Sequence, residues 1–195
     1  AQAEWAIVVD GVQCKSEHMA HGRVIRNYAD CVRQEKSHEI IREARLGESE
    51  VIATILYTGP LYQVYNAALR QTDCELYNVL RDGKNLFSTT IFALSSSVQK
   101  ISRVMRLGEG LKLYRGLGGL MKLPEAFHAE DANGRRGCAE WGFMSTTGDR
   151  SVAVDYSGVR QGRPLPCVLE LTVGAVDRGA CILWFSQYPK EVEDL

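Results

Sequence analysis

The sequence lacks any real surplus of charge. Its 23 Lys and Arg stand against 24 Asp and Glu, a formal net charge of −1. That excludes broad electrostatic attraction to nucleic acid or to acidic membranes. It also lacks any apolar run near the roughly 18 residues of a membrane-spanning helix, and no signal-peptide pattern opens the chain. Six cysteines are present (Cys14, Cys31, Cys74, Cys138, Cys167 and Cys181), but none form a CxxC pair and their spacings are wide and irregular. For a chain this long, that density is far below a disulfide scaffold and points to reduced, mostly buried thiols. Cys14, His18 and His21 imitate part of a metal site, yet a fourth ligand and a zinc spacing are missing, so no metal is expected.

Two familiar catalytic signatures are missing as well. The glycines at 116, 118 and 119 do not continue as GxGxxG, because position 121 is Met, which argues against a dinucleotide-binding βαβ unit. Ser145 lies between Gly142 and Gly148 without the two-residue spacing of GxSxG, and His18, His21, His38 and His128 are scattered without partners. A hydrolase triad is therefore not expected.

What is present suits one globular domain. At 195 residues and 45% hydrophobic, the chain has room for a sizeable core. The pattern predicts a short strand over 5–9 and one or two surface helices between 23 and 46. A helix over 49–57 with Ser49 as cap stops at Gly59-Pro60. Further helices are expected over 61–70, 73–81 (capped by Asp73) and from 85 or 86 to 104. After Gly108 the pattern changes. Residues 111–115 alternate with period two, and 138–146, 166–173 and 181–185 read as further strands, with a short helix over 149–157 capped by Asp149. Residues 131–137 read as a loop. A helical half followed by a strand-rich half argues for an α+β fold. Residues 1–48 are expected to be a helical or linker extension, and 49–195 the domain proper.

Three segments carry candidate chemistry. Arg115, in Tyr114-Arg115-Gly116, offers a planar fork suited to a phosphate or carboxylate. Ser145, in Phe143-Met144-Ser145-Thr146-Thr147, can fix a neighbouring carboxylate from a strand. Glu191 and Glu193 follow the aromatic-rich run Trp184-Phe185-Ser186-Gln187-Tyr188-Pro189, and on an extended segment they share one face roughly 6–7 Å apart. Each segment alone also reads as an ordinary strand end.

In this order, the three resemble the mono-ADP-ribosyltransferases of the Arg-Ser-Glu class, which includes arginine-specific toxins and animal surface enzymes. Residues 143–147 are similar to that family's Ser-Thr-Ser strand, with Thr147 in the last position, and 184–189 to its turn-turn loop. Tyr57-Thr58-Gly59-Pro60 and Asn66-Ala67-Ala68-Leu69-Arg70 resemble the helices before its first core strand. The likeness spans roughly 49–195. It implies a helical N-terminal half packed on a core of two small sheets. Family domains continue past the acids, so the resemblance implies a sheet left incomplete at Leu195, in a fragment whose parent's compartment stays open, the cytoplasm being the expectation.

The resemblance also implies NAD⁺ (or NADP⁺) as co-substrate, without a metal, and a protein arginine as acceptor of one ADP-ribose with release of nicotinamide. Glu193 would stabilise the oxocarbenium-like state through the ribose 2′-OH, a role glycosidases give to carboxylates. Ser145 would orient Glu193, Arg115 would hold the diphosphate, and Gly116, Thr146 and Tyr156 would line the donor site. Glu191 would bind the acceptor guanidinium and take its proton. An NAD⁺ glycohydrolase on the same site is the alternative, since water can capture the same cation. A non-catalytic NAD⁺-binding module would be marked by loss of Arg115, Ser145 or Glu193, and all three are present.

Overall fold

The computed structural model of the protein describes residues 23, 28, 38–71, 75–118, 123, 125–137, 139–160, 162, 166–175, 179–188 and 193–195. The expected strand over 5–9 and the Asp73 cap lie outside them, as does most of 1–37. The helical half contains α1 (Glu39–Glu43), α2 (Glu48–Leu56), α3 (Tyr62–Arg70), α4 (Glu75–Asp82) and α5 (Ser88–Val104).

Helix α2 is the buried centre of this half, with every residue from Glu50 to Leu56 inside. Its first turn is closed by Gly47, whose N–H donates to Glu50 Oε2 at 2.7 Å, so the cap precedes the expected Ser49. Glu50 also ties α2 to α5, accepting from Ser96 Oγ at 2.5 Å and from Lys100 Nζ. Deeper in the same contact, the Thr54 hydroxyl lies 2.8 Å from Ser97 Oγ.

Between α2 and α3 the chain makes a wide turn, Tyr57–Leu61, in which Gly59 leaves helical geometry. Pro60 has no N–H to return to the preceding turn. The Ile55 carbonyl instead accepts from Thr58 Oγ1 at 2.8 Å and from Gln187 Nε2 at 2.7 Å. Gln187 is fully buried, and a Cβ on Gly59 would sit 2.3 Å from its Nε2. The Gly59-Pro60 pair thus makes both the bend and the space that seat the segment after Phe185. Arg23 reinforces the seat by donating Nε and Nη2 to Gln187 Oε1 at 2.8 and 2.5 Å.

The second half forms one four-stranded antiparallel sheet among the described residues: β1 (Lys112–Leu117), β2 (Thr146–Thr147), β3 (Cys167–Thr172) and β4 (Glu193–Asp194), in the order β3-β1-β2-β4. The α+β class holds, with a helical first half. The second small sheet of the expectation is not among the described residues. Two short helices belong to this half, α6 (Glu125–His128) and α7 (Arg150–Tyr156). Asp149 caps α7 as expected, accepting from Ser151 N at 2.8 Å.

Two expected strands are corrected. Of the described residues in the expected strand 138–146, only Thr146 enters a strand, and residues 139–145 run as irregular chain. Of 181–185, Cys181 makes a single bridge to Asp194, and Leu183–Phe185 is a 3₁₀ turn. In the second stretch Ile182 and Phe185 face the core, and burial by itself does not specify a ladder; in the first, none of residues 139–145 is buried and Trp141 is 74% exposed. Ile182 and Phe185 join the same buried cluster as Ile55, Leu56, Tyr57, Tyr65, Leu94 and Ile101, so one core spans both halves.

Candidate active site

Strand register brings the sequence candidates together. On β2, Thr147 pairs with Tyr114 of β1 on one side and with Glu193 of β4 on the other, while Thr146 pairs with Asp194. Arg115, Ser145 and Glu193, up to 78 positions apart in sequence, therefore lie on or beside three adjacent strands. The Arg115 guanidinium donates Nη1–H to the Ser145 carbonyl at 2.7 Å. That single bond fixes its direction while leaving other N–H groups of the fork for a ligand. Burial pushes the Arg115 pKa down, and the neighbouring charge of Arg70 acts in the same direction.

The Ser145 hydroxyl is held from the helical half. It lies 2.9 Å from the hydroxyl of Tyr57, either of which can donate. Asn66 Nδ2 donates to the same Tyr57 oxygen at 3.4 Å, and the Phe143 carbonyl lies 3.3 Å away. Tyr57 is 1% exposed, and burial pushes its pKa up to about 12. The charge of Glu193 adds to the rise, and that of Arg115 opposes it. Tyr57 is thus a neutral phenol standing within electrostatic reach of both charged candidates. Sequence reasoning missed this residue's part in the site, because the contact joins positions 88 residues apart. Its only sequence signal was the resemblance of 57–60 to a family helix.

Thr146 is buried, and its Oγ1–H donates to the Asp194 carbonyl at 3.1 Å, fastening β4 to β2. Its proton is committed there, so a donor could use only the hydroxyl's acceptor capacity. Gly116 is explained by packing. A Cβ on it would meet Ala153 O at 2.1 Å and Ser157 N at 2.7 Å, so its hydrogen lets α7 lie directly on β1. Tyr156, at the end of α7, is 52% exposed rather than a helix-core residue. Glu191 lies outside the described residues. Among the described residues, no group of three His, Cys, Asp or Glu side chains could hold a metal ion, and no helix is long and apolar enough to cross a membrane.

The fold is similar to that of solved structures. The chain superposes on the ADP-ribosyltransferase HopU1 of Pseudomonas syringae pv. tomato DC3000 with a TM-score of 0.64 and 24% identity, over 98% of this chain and 82% of that one. The fold is that of an ADP-ribosyltransferase. An ADP-ribosyltransferase from Clostridium botulinum also matches, at a TM-score of 0.49 and 17% identity, over 86% of this chain and 82% of that one. No family model and no curated protein sequence matches the chain.

Within the ADP-ribosyltransferase fold, the helical half supplies polar groups that the expectation did not assign. Arg70, at the end of α3, forms a two-bond pair with Glu140, Nε to Oε1 at 2.9 Å and Nη2 to Oε2 at 3.2 Å. Asn66 Oδ1 accepts from Phe143 N at 2.7 Å, and Glu140 Oε1 accepts from Gly142 N at 2.7 Å. These bonds hold 140–143 on α3 and so position the chain that leads into Ser145. Asn66 and Arg70 fall one turn apart on a helix, a spacing that puts both on one face.

Proposed function

We propose that the protein is an NAD⁺:protein-arginine mono-ADP-ribosyltransferase. The observation that carries the reading is the adjacency of β1, β2 and β4, with Arg115 bonded to the Ser145 carbonyl and Glu193 on the strand paired with Thr147, on the fold of an ADP-ribosyltransferase. Arg115 binds the donor's diphosphate, its fork being matched to phosphate oxygens. Ser145, braced by Tyr57, orients Glu193. Glu193 accepts from the nicotinamide-ribose 2′-OH and stabilises the positive charge that develops as the glycosidic bond to nicotinamide breaks. Tyr156 offers an exposed ring for the nicotinamide, and Gly116 and Thr146 line the donor side. Glu191 takes the acceptor's proton. A guanidinium with pKa above about 12 is a poor nucleophile until deprotonated, and such general-base help is worth roughly 10²–10⁴-fold. The ribosyl carbon then bonds to the guanidine nitrogen, and neutral nicotinamide leaves with the electron pair of the broken bond.

Two substitutions test the assignment, with agmatine as acceptor and NAD⁺ hydrolysis measured alongside. Glu193→Gln should abolish transfer and hydrolysis together, because both pass through the same cation. Glu191→Gln should lose most transfer yet keep most hydrolysis, since water needs no deprotonated guanidinium. Equal loss of both activities in Glu191→Gln would remove the support for an arginine acceptor. Hydrolysis without transfer in the unaltered protein would make it an NAD⁺ glycohydrolase.

A further inference from the structure

Glu140 stands out because it serves two arginines at once. It pairs directly with Arg70, both side chains remaining about one-third exposed, at 32% and 34%. Arg115 also feels it: the Glu140 charge favours the Arg115 cation, whereas the Arg70 charge opposes it. Arg70 is bonded to Glu140, and Arg115 to the Ser145 carbonyl five residues further on, so two guanidiniums, one from α3 and one from β1, stand along the short run 140–145 that carries the Glu140 carboxylate. The carboxylate is also fixed in place, because Gly142 N–H donates to its Oε1 at 2.7 Å.

Like charges brought together repel, and the repulsion is relieved by any anion bound between them. Glu140 provides that relief from within the chain. A diphosphate reaching Arg115 would meet the same pair of cations, and would offer oxygens matched to the same forks. It would also meet the negative charge of Glu140.

We propose that Glu140 is an internal competitor for the donor's diphosphate, setting how tightly Arg70 and Arg115 hold an anionic ligand. This rests on the reading of the site as an NAD⁺ site. In the absence of donor, Glu140 keeps the two guanidiniums oriented and partly neutralised. On binding, the diphosphate takes over hydrogen bonds that Arg70 gave to Glu140. The carboxylate therefore lowers affinity for the donor and for ADP-ribose-like products, and eases their release. It is a residue that tunes binding, not one that touches the reacting atoms.

Glu140→Gln is the decisive change. A glutamine keeps an oxygen that can accept from Gly142 N–H and from Arg70, while the charge is lost. Binding of NAD⁺, ADP and inorganic pyrophosphate is measured by calorimetry at low and high salt. At low salt the variant should bind ADP and pyrophosphate roughly three- to thirtyfold more tightly than the unaltered protein, and the gain should shrink as salt screens the charges. A residue that only fastened its loop would give equal or weaker binding on substitution, and that result overturns the proposal. If Glu140→Gln does not fold, Arg70→Gln is compared with the double variant Arg70→Gln/Glu140→Gln. Removing Glu140 should then restore ADP binding at Arg115, and equal affinity in the two overturns the proposal. Unaltered protein that binds none of the three ligands overturns the donor reading and the proposal with it. Firm binding with no gain on removing Glu140 overturns the proposal alone.

Discussion

Asp194 is the residue next to the candidate catalytic Glu193, and its environment is the opposite of a solvated strand end. It is 4% exposed, with the thiol of Cys181 as hydrogen-bond partner. Burial raises the Asp194 pKa, and the Cys181 bond offsets only part of that rise. Burial likewise pushes the Cys181 thiol up to about 11, so it stays a protonated, unreactive donor at neutral pH. A carboxyl whose folded pKa lies above its unfolded value is most compatible with folding when protonated. Its stabilising share is complete below the unfolded value near 3.9 and is lost as pH rises through the folded one. Asp194→Asn should therefore be the more stable protein at pH 7, by on the order of 1 kcal/mol, with the difference closing near pH 3. Urea midpoints at the two pH values measure this. A variant less stable than the unaltered chain at pH 7 would show that Asp194 is charged and well satisfied.

At the scale of elements, the contact that matters most for the candidate site is α7 on β1. It depends on Gly116, whose missing Cβ leaves room for backbone atoms of Ala153 and Ser157. Backbone cannot swing aside as a side-chain tip can. Gly116→Ala should push α7 off β1, at about 1–3 kcal/mol of stability, and move Tyr156 with it. A thermal unfolding midpoint within error of the unaltered protein would mean that the helix does not rest on the strand there. The strand expected over 111–115 and observed over Lys112–Leu117, and the Asp149 cap, were legible in the sequence, because alternation and capping are local signals. Within the strands expected over 138–146 and 181–185, the parts 139–145 and 182–185 were misread: Ile182 and Phe185 report burial, which says nothing about hydrogen-bond partners, and 140–143 are held by the side chains of Asn66 and Arg70 instead of by a ladder. Arg115, Ser145 and Glu193 were readable as candidates through a resemblance in their order along the chain. The bracing by Tyr57, Asn66 and Glu140 was not readable, because it depends on how the 57–61 turn and α3 lie against residues 140–145.

Over the whole molecule, the candidate site lies where the two halves meet. Tyr57, Asn66 and Arg70 come from the helical half, Arg115 and Glu193 from the sheet, and Ser145 from the chain that enters β2. The halves also share one buried cluster, and Gln187 is bonded to Ile55 of α2 and to Thr58 in the turn that follows it. A ligand held by groups from both sides would stabilise the fold as a unit, not one half of it. By mass action, NAD⁺ at 100 times its dissociation constant adds about 2.7 kcal/mol. For a chain of this length, each kcal/mol shifts the midpoint by roughly 2–4 °C, so the expected rise is about 5–11 °C in a single transition. Arg115→Ala removes the guanidinium on the sheet side, and its midpoint should respond far less to the same NAD⁺ concentration. The bond from Arg115 to the Ser145 carbonyl is lost too, so the variant's own midpoint without NAD⁺ must be the baseline. Equal NAD⁺-induced rises in the two proteins would exclude Arg115 as the phosphate ligand. Two separate transitions, only one of them raised by NAD⁺, would show that the halves unfold independently and that the donor is held by one of them alone.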